Sequence, residues 1–358
     1  MLSILDRYII KKFLGTFVFS ILLIISIAVV FDVNEQLDKF IRNDAPLKAI
    51  IFEYYMNFVP YYTNLFSALF VFISVIFFTS KMADNSEVIA MLSTGISFKR
   101  MLRPYLISAL VIAVSTFILG GYVIPPANVV RINFQEKYIR KKKKDYANRV
   151  QLMVKPGVIA YINRYNANEK MGYSFALDRF KKNELVSRLT AERIKYNSGY
   201  SWTVYSYNVR TMEGSLEKNK FGQQLDTTIA IIPQDFVISV NDAEQMTTPR
   251  LRSFISRQKE RGIGNIQDFE IEYYKRFASA FSAFILTVIG ASLSSRKVKG
   301  GMGVNIGLGL LLSVSYILFM TISSTFATSG FVSPMIAVWI PNIIFTFIAW
   351  FLYKRAPN

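Results

Sequence analysis

Phe13-Leu14-Gly15-Thr16-Phe17-Val18-Phe19-Ser20-Ile21-Leu22-Leu23-Ile24-Ile25-Ser26-Ile27-Ala28-Val29-Val30-Phe31 contains no charged residue, and five further runs of this kind follow at 58–79, 104–124, 277–295, 302–326 and 334–353. Each holds about 19 to 25 residues, enough as a helix to cross a hydrocarbon core of about 30 Å. Buried core helices of a soluble protein are the alternative, and six uncharged segments of this length argue against it. The runs form two groups of three around a polar insertion of roughly 150 residues, large enough to bury a core of its own. The predicted fold is a polytopic α-helical membrane protein with six transmembrane helices arranged 3+3 and one domain inserted between helices 3 and 4. The expected division is 1–125, 126–270 and 271–358.

The composition agrees and excludes several chemistries. In 358 residues, 52% are hydrophobic, 15% aromatic and 18% charged, with no cysteine and no histidine. Disulfides, thiolate metal sites and cysteine nucleophiles drop out together, as do the commonest proton shuttle and metal ligand. No P-loop pattern and no defensible carboxylate pair is present, so no catalytic residue, metal or cofactor is expected. Residues 1–12 offer no small-residue cleavage site, so the first run is expected to stay as a span.

The net charge of +18 is read as topology and not as nucleic-acid binding. Arg7, Lys11 and Lys12 precede the first run; Lys81, Lys99, Arg100 and Arg103 lie between the second and third. Arg296, Lys297 and Lys299 lie between the fourth and fifth, and Lys354 and Arg355 follow the sixth. Both termini and these loops are therefore expected on the cytoplasmic side, with the insertion outside.

The insertion begins with a basic stretch, 131–149, that includes an unbroken run at 140–144. Such a run is either a solvated segment or a cluster meeting anionic head groups. Short β-branched and aromatic runs follow at 158–162, 173–177, 201–209 and 227–232, separated by turn-like 166–172, 197–199 and 218–222, which predicts an all-β sandwich or roll. Thr248-Pro249 reads as a helix start, with Leu251, Phe254, Ile255 and Gln258 at helical spacing and Gly262 and Gly264 at its end. This helix either leads towards the fourth span or packs on the β domain.

The loop after the second run reads Asp84-Asn85-Ser86-Glu87-Val88-Ile89-Ala90-Met91-Leu92-Ser93-Thr94-Gly95. Asp84 with Glu87 resembles a capping box, Val88, Met91 and Leu92 share a face, and Gly95 is placed to end a short helix. Its exposed apolar face is expected either on the lipid interface or in a groove of a cytosolic partner. Glu87 is a cap residue or a carboxylate offered to a partner arginine. Ion coupling normally needs ionisable groups within the membrane, and the spans have none. The expected work is movement of a lipid-like substrate, or transmission of motion, powered by another subunit. Gly120 and Gly121, and Gly301, Gly303, Gly307 and Gly309, allow close helix approach, either within the subunit or at a moving gate.

These residues resemble the LptF/LptG permease family, membrane subunits of the exporter that extracts lipopolysaccharide from the inner membrane. The resemblance rests on Leu5-Asp6-Arg7-Tyr8-Ile9, the Glu87 to Gly95 helix and Glu272-Tyr273-Tyr274-Lys275-Arg276-Phe277. Gly300-Gly301-Met302-Gly303, Ser329-Gly330-Phe331 and Ala337-Val338-Trp339-Ile340-Pro341-Asn342 complete it, in the same order and spacing. The start and Glu35-Gln36-Leu37 look more like LptG than LptF.

The resemblance implies a jellyroll-like periplasmic β domain. It also implies a paralogous LptF-like permease, a cytosolic LptB-like ATPase dimer that binds the ATP, and an LptC-like single-span protein. Glu87, Val88, Met91, Leu92 and Gly95 would form the coupling helix on the ATPase. Lys39 matches a lipid-phosphate contact of the family, whereas Asp32 stands where an LptG-like pattern has lysine, with Arg42 or Arg131 as substitutes. Ser279 to Ser282 lack a proline frequent in the family, which predicts a straighter fourth span. A non-transporting scaffold or mechanotransmission subunit is the alternative function.

Overall fold

The computed structural model describes residues 3–139, 146–181, 184–213, 216–235, 240–260, 266–296 and 301–356. The basic run 140–144, together with Gly262, Gly264, Lys297, Lys299 and Gly300, lies outside them. Among the described residues, six helices are long and apolar enough to cross a membrane. The chain divides into two compact units, Met1–Lys141 with Glu244–Thr248 and Gln267–Asn358, and Lys142–Ala243 with Pro249–Ile266.

In the membrane unit, α1 (Ile4–Arg42) is a 39-residue helix, about 58 Å long at 1.5 Å per residue, and so outruns its apolar stretch at both ends. Ser3 caps it reciprocally with Asp6: the Ser3 hydroxyl accepts from the Asp6 amide, and the Asp6 carboxylate accepts from the Ser3 amide. The expected single second span is broken. A short α2 (Leu47–Ala49) and a π-type turn (Ile50–Tyr55) lead into α3 (Met56–Leu65), and Phe66, at φ −96° and ψ 12°, separates that helix from α4 (Ser67–Asp84). After α5 (Glu87–Ser93) comes α6 (Phe98–Ile118), then a π-type turn (Leu119–Val123), α7 (Ile124–Phe134) and another π-type turn (Gln135–Ile139). The expected domain boundary at 126 thus falls inside a continuous helical segment.

The strands of the other unit are β1 (Tyr146–Lys155), β2 (Val158–Asn166), β3 (Met171–Lys181), β4 (Glu184–Ser198), β5 (Ser201–Glu213) and β6 (Leu216–Thr228). They form one antiparallel sheet in sequential order, so the all-β insertion is a meander. Among the described strands it lacks the Greek-key crossover of a double-sheet jelly roll. The predicted turn at 218–222 is instead the interior of β6, where Lys220 pairs with Val209 and Gly222 with Tyr207. Gly222 is there because the Tyr207 ring covers it: a Cβ would stand 2.5 Å from that ring. One face of the sheet carries Ile162, Phe175, Ile194, Trp202 and Val204, completed by Ile229 and Ile231, and the Trp202 indole donates to the Ile231 carbonyl at 3.0 Å. Past α8 (Val240–Ala243), α9 (Thr248–Glu260) starts at the predicted Thr248-Pro249. It buries Leu251, Ile255 and Gln258, and Gln258 donates to the Asp235 carbonyl of the same unit.

The last three spans are α10 (Gln267–Ser294), α11 (Gly301–Thr328) and α12 (Pro334–Arg355). α10 passes Ser279 to Ser282 without a break. It lies at the centre with α4 and α6, where Phe72, Val75, Tyr105, Leu286 and Ile289 are buried. By contrast only 11% of the apolar window of α1 is buried, against 67% for α4, so α1 stands at the edge. Polar side chains fix the helices in pairs. Asn342 donates to the Ala278 carbonyl at 2.9 Å and accepts from Tyr316 at 2.9 Å, and Asn305 donates to Ser80 at 3.1 Å. Gly309 faces Ile76 and Phe72, an internal packing role, whereas a side chain at Gly303 or Gly307 would meet open space.

The returning segment Glu244–Thr248 belongs to the membrane unit and docks at the end opposite the termini. Pro125 and Pro126 have no N–H, so the Gly121 carbonyl loses its helical donors, and the Thr248 hydroxyl points to it instead at 3.5 Å. Arg276, only 5% exposed, donates to Thr248 at 3.0 Å, to the Met246 carbonyl at 2.9 Å and to Glu272 at 3.1 Å. Asn128 holds the Glu244 carbonyl and Tyr61 its carboxylate. Burial and the neighbouring Glu272 push the Glu244 carboxyl above the ordinary glutamate range, against Lys275, the Tyr61 hydroxyl and Arg131. Removing the guanidinium strands Glu272 and frees the segment. Arg276→Met is expected to cost about 3 kcal/mol and to lower the unfolding midpoint in detergent, whereas Arg252→Met on the exposed face of α9 leaves it unchanged.

Candidate functional site

At the end of the bundle that carries both termini, α5 is shorter and more deeply set than the sequence implies. Asp84 closes α4 and does not cap α5; the residue before Glu87 is Ser86, in the left-handed region at φ 62° with no side-chain cap bond. The capping-box expectation therefore fails, because the chain reverses over Asn85 and Ser86 before Glu87 can begin a turn. Gly95 does terminate the helix: at φ 84° it donates to the Leu92 carbonyl while Ile96 donates to that of Met91, the paired bonds of a Schellman motif.

The apolar face is not free. Val88 is fully buried and Met91 nearly so in the main core, with Leu92 half-buried against it. What faces outward is Ile89, 55% exposed, with Ala90, Ser93 and Thr94. Glu87 accepts from the Tyr8 hydroxyl on one oxygen at 3.0 Å and from Asn85 on the other at 3.2 Å. Each oxygen retains a lone pair, enough for an incoming arginine. Beside it, Arg100 clamps Asp6 through two parallel bonds of 2.6 and 2.8 Å. The start of α1, α5 and the start of α6 are thus linked by side chains at two points.

At the opposite end, Lys39 and Arg42 stand exposed on the last turn of α1, where positive charge also suits the helix dipole. The Lys39 ammonium donates to Gln36 at 2.8 Å. Of the two readings of the basic stretch, the solvated one does not hold for its first residue, Arg131. It is 6% exposed on α7, its guanidinium lies 4.1 Å from the centre of the Tyr61 ring, and its Nε donates to Asn128 at 3.0 Å. Burial is tolerable because the ring face and the amide oxygen replace its water. Asp32 accepts from Tyr54 and Tyr55 at 3.3 and 3.0 Å. Phe40, Tyr54, Phe58 and Phe134 form a separate aromatic core here. The tyrosine pairs at 54–55 and 61–62 were its signal, masked by the apolar run beside them.

The family described as lipopolysaccharide export system permease LptF/LptG matches residues 7–355, nearly the whole chain. The lipopolysaccharide export system permease protein LptG of Haemophilus influenzae is 20% identical over 372 positions, covering 99% of this chain and 99% of that protein. The order of six spans with a β domain between the third and fourth fits that family's fold. The chain is a multi-pass membrane protein that belongs to the LptF/LptG family of lipopolysaccharide export permeases.

Proposed function

We propose that this chain is one of two permease subunits that take lipopolysaccharide from the inner membrane and pass it to a periplasmic bridge, driven by a separate cytosolic ATPase. The other subunit is an LptF-like paralogue, the ATPase is an LptB-like dimer, and an LptC-like single-span protein joins them. Both termini and α5 lie in the cytoplasm and the β unit in the periplasm, a placement supported by the basic residues around Lys11, Lys99 and Arg296. With no ionisable side chain inside the apolar runs, energy enters through contact and not through ion flow.

The observation that carries this reading is the double attachment of α5, through buried Val88 and through the Tyr8–Glu87 bond. Ile89, Ser93 and Glu87 meet the ATPase, while Val88, Met91 and Leu92 pass its motion inward and Gly95 fixes the helix end. Lys39 and Arg42 meet the lipid phosphates at the outer rim, and Arg131, engaged with Tyr61, positions that rim from behind. Glu87→Lys is expected to reduce recovery of the ATPase with the tagged chain by roughly ten-fold, the scale of losing one charged contact. Lipopolysaccharide release into the periplasm should fall with it. ATPase recovery and release equal to wild type would overturn the proposal.

A further inference from the structure

A groove of about 550 Å³ opens between α1 and α4, at the end of the bundle that carries both termini. It is lined by Tyr8, Lys11, Lys12, Gly15, Phe19 and Phe77, with the Thr16 hydroxyl turned back onto the Lys12 carbonyl. Its chemistry changes along its length. Lys11 and Lys12 stand immediately before the uncharged run, at the level where head groups lie, whereas Phe19 and Phe77 lie within the apolar runs. From Tyr8 to Phe19 the groove follows α1 for about 16 Å. No carboxylate among the described residues forms an ion pair with Lys11 or Lys12, and the Lys12 ammonium rests 5.7 Å from the Tyr8 ring centre. A Cβ added to Gly15 would touch nothing within 4 Å, so the floor of the groove is unfilled.

We infer that this groove binds one acidic phospholipid, with its phosphate between Lys11 and Lys12 and an acyl chain over Gly15 against Phe19 and Phe77. Two adjacent lysines at the head-group level are complementary to an anionic lipid and gain nothing from a zwitterionic one. A wholly apolar helix from another subunit would cover the phenylalanines but leave both ammonium groups without an anion. The groove shares Tyr8 with the contact to Glu87, so the bound lipid touches the residue that holds α5. The groove lies at the opposite end of α1 from Lys39 and Arg42, the residues proposed above to meet the substrate phosphates.

The test uses the full chain reconstituted into nanodiscs of equal parts phosphatidylglycerol and phosphatidylcholine, released into mild detergent and weighed by native mass spectrometry. Wild type should retain phosphatidylglycerol over phosphatidylcholine by about thirty-fold, the scale set by two basic residues at an anionic surface. Lys11→Gln with Lys12→Gln should bring the ratio to about one. Gly15→Leu, which has room to fold, should lower the number of retained lipids of either kind by filling the floor. Lys354→Gln with Arg355→Gln, at the same end but away from the groove, should keep the wild-type ratio. A wild-type ratio near one, or a ratio and lipid count unchanged in both groove variants, would overturn the inference. So would retention of a protein partner in place of lipid.

Discussion

The Asp6–Arg100 ion pair and the Tyr8–Glu87 hydrogen bond tie the start of α1 to α6 and α5, and so set where this edge helix meets the core built around α10, α4 and α6. α1 buries little of its apolar window, so few side-chain contacts in the membrane hold it. At its start the situation reverses: Asp6 is almost fully buried, capped by Ser3 and clamped by Arg100, and Ile9 and Phe13 enter the core behind it. α1 is thus held near both ends, by Asp6 at its start and by Phe40 in the aromatic core with Tyr54 and Phe134, and is loosely covered between them.

The far end is built on a different constraint. Two consecutive prolines remove the donors that would continue α6, and the chain solves this locally with a widened turn and with the Thr248 hydroxyl on the freed Gly121 carbonyl. Arg276 then collects Thr248, Met246 and Glu272, and Arg131 settles on Tyr61. These buried cations and their partners hold Glu244–Thr248 within the membrane unit. The exposed cations Lys39 and Arg42 are left for contact with the outside. Sorting basic residues into structural and available ones is what the coordinates add to a charge count.

The six spans, the β insertion and the Gly95 stop were legible because each rests on a local rule: length of an uncharged run, alternation, and a left-handed position that only glycine takes without strain. The Thr248-Pro249 start was legible for the same reason. What escaped depends on partners distant in sequence. Arg131 reads as the start of a solvated stretch until Tyr61 and Asn128 are beside it, and Val88 and Met91 read as an exposed face until the core reaches them. The strand interior at 218–222 reads as a turn because lysines and a glycine mimic one, and only the Tyr207 ring explains the glycine. Of the candidate site residues, Gly95 kept the geometry its sequence implied, since it acts through neighbouring backbone, whereas Glu87 does not form the expected capping box and is held by Tyr8 and Asn85.

The central claim is that the start of α1 and α5 move as one body when a partner pushes on the bundle. The chain has no cysteine, so Ile4→Cys and Ala90→Cys, both at exposed positions and neither among the residues proposed to meet the ATPase, can carry a spin-label pair without background. The distance between the labels should be a single narrow distribution in the isolated chain, and it should stay unchanged when the ATPase is bound and nucleotide is added and removed. A broad distribution, or a distance that shifts with nucleotide, would contradict it.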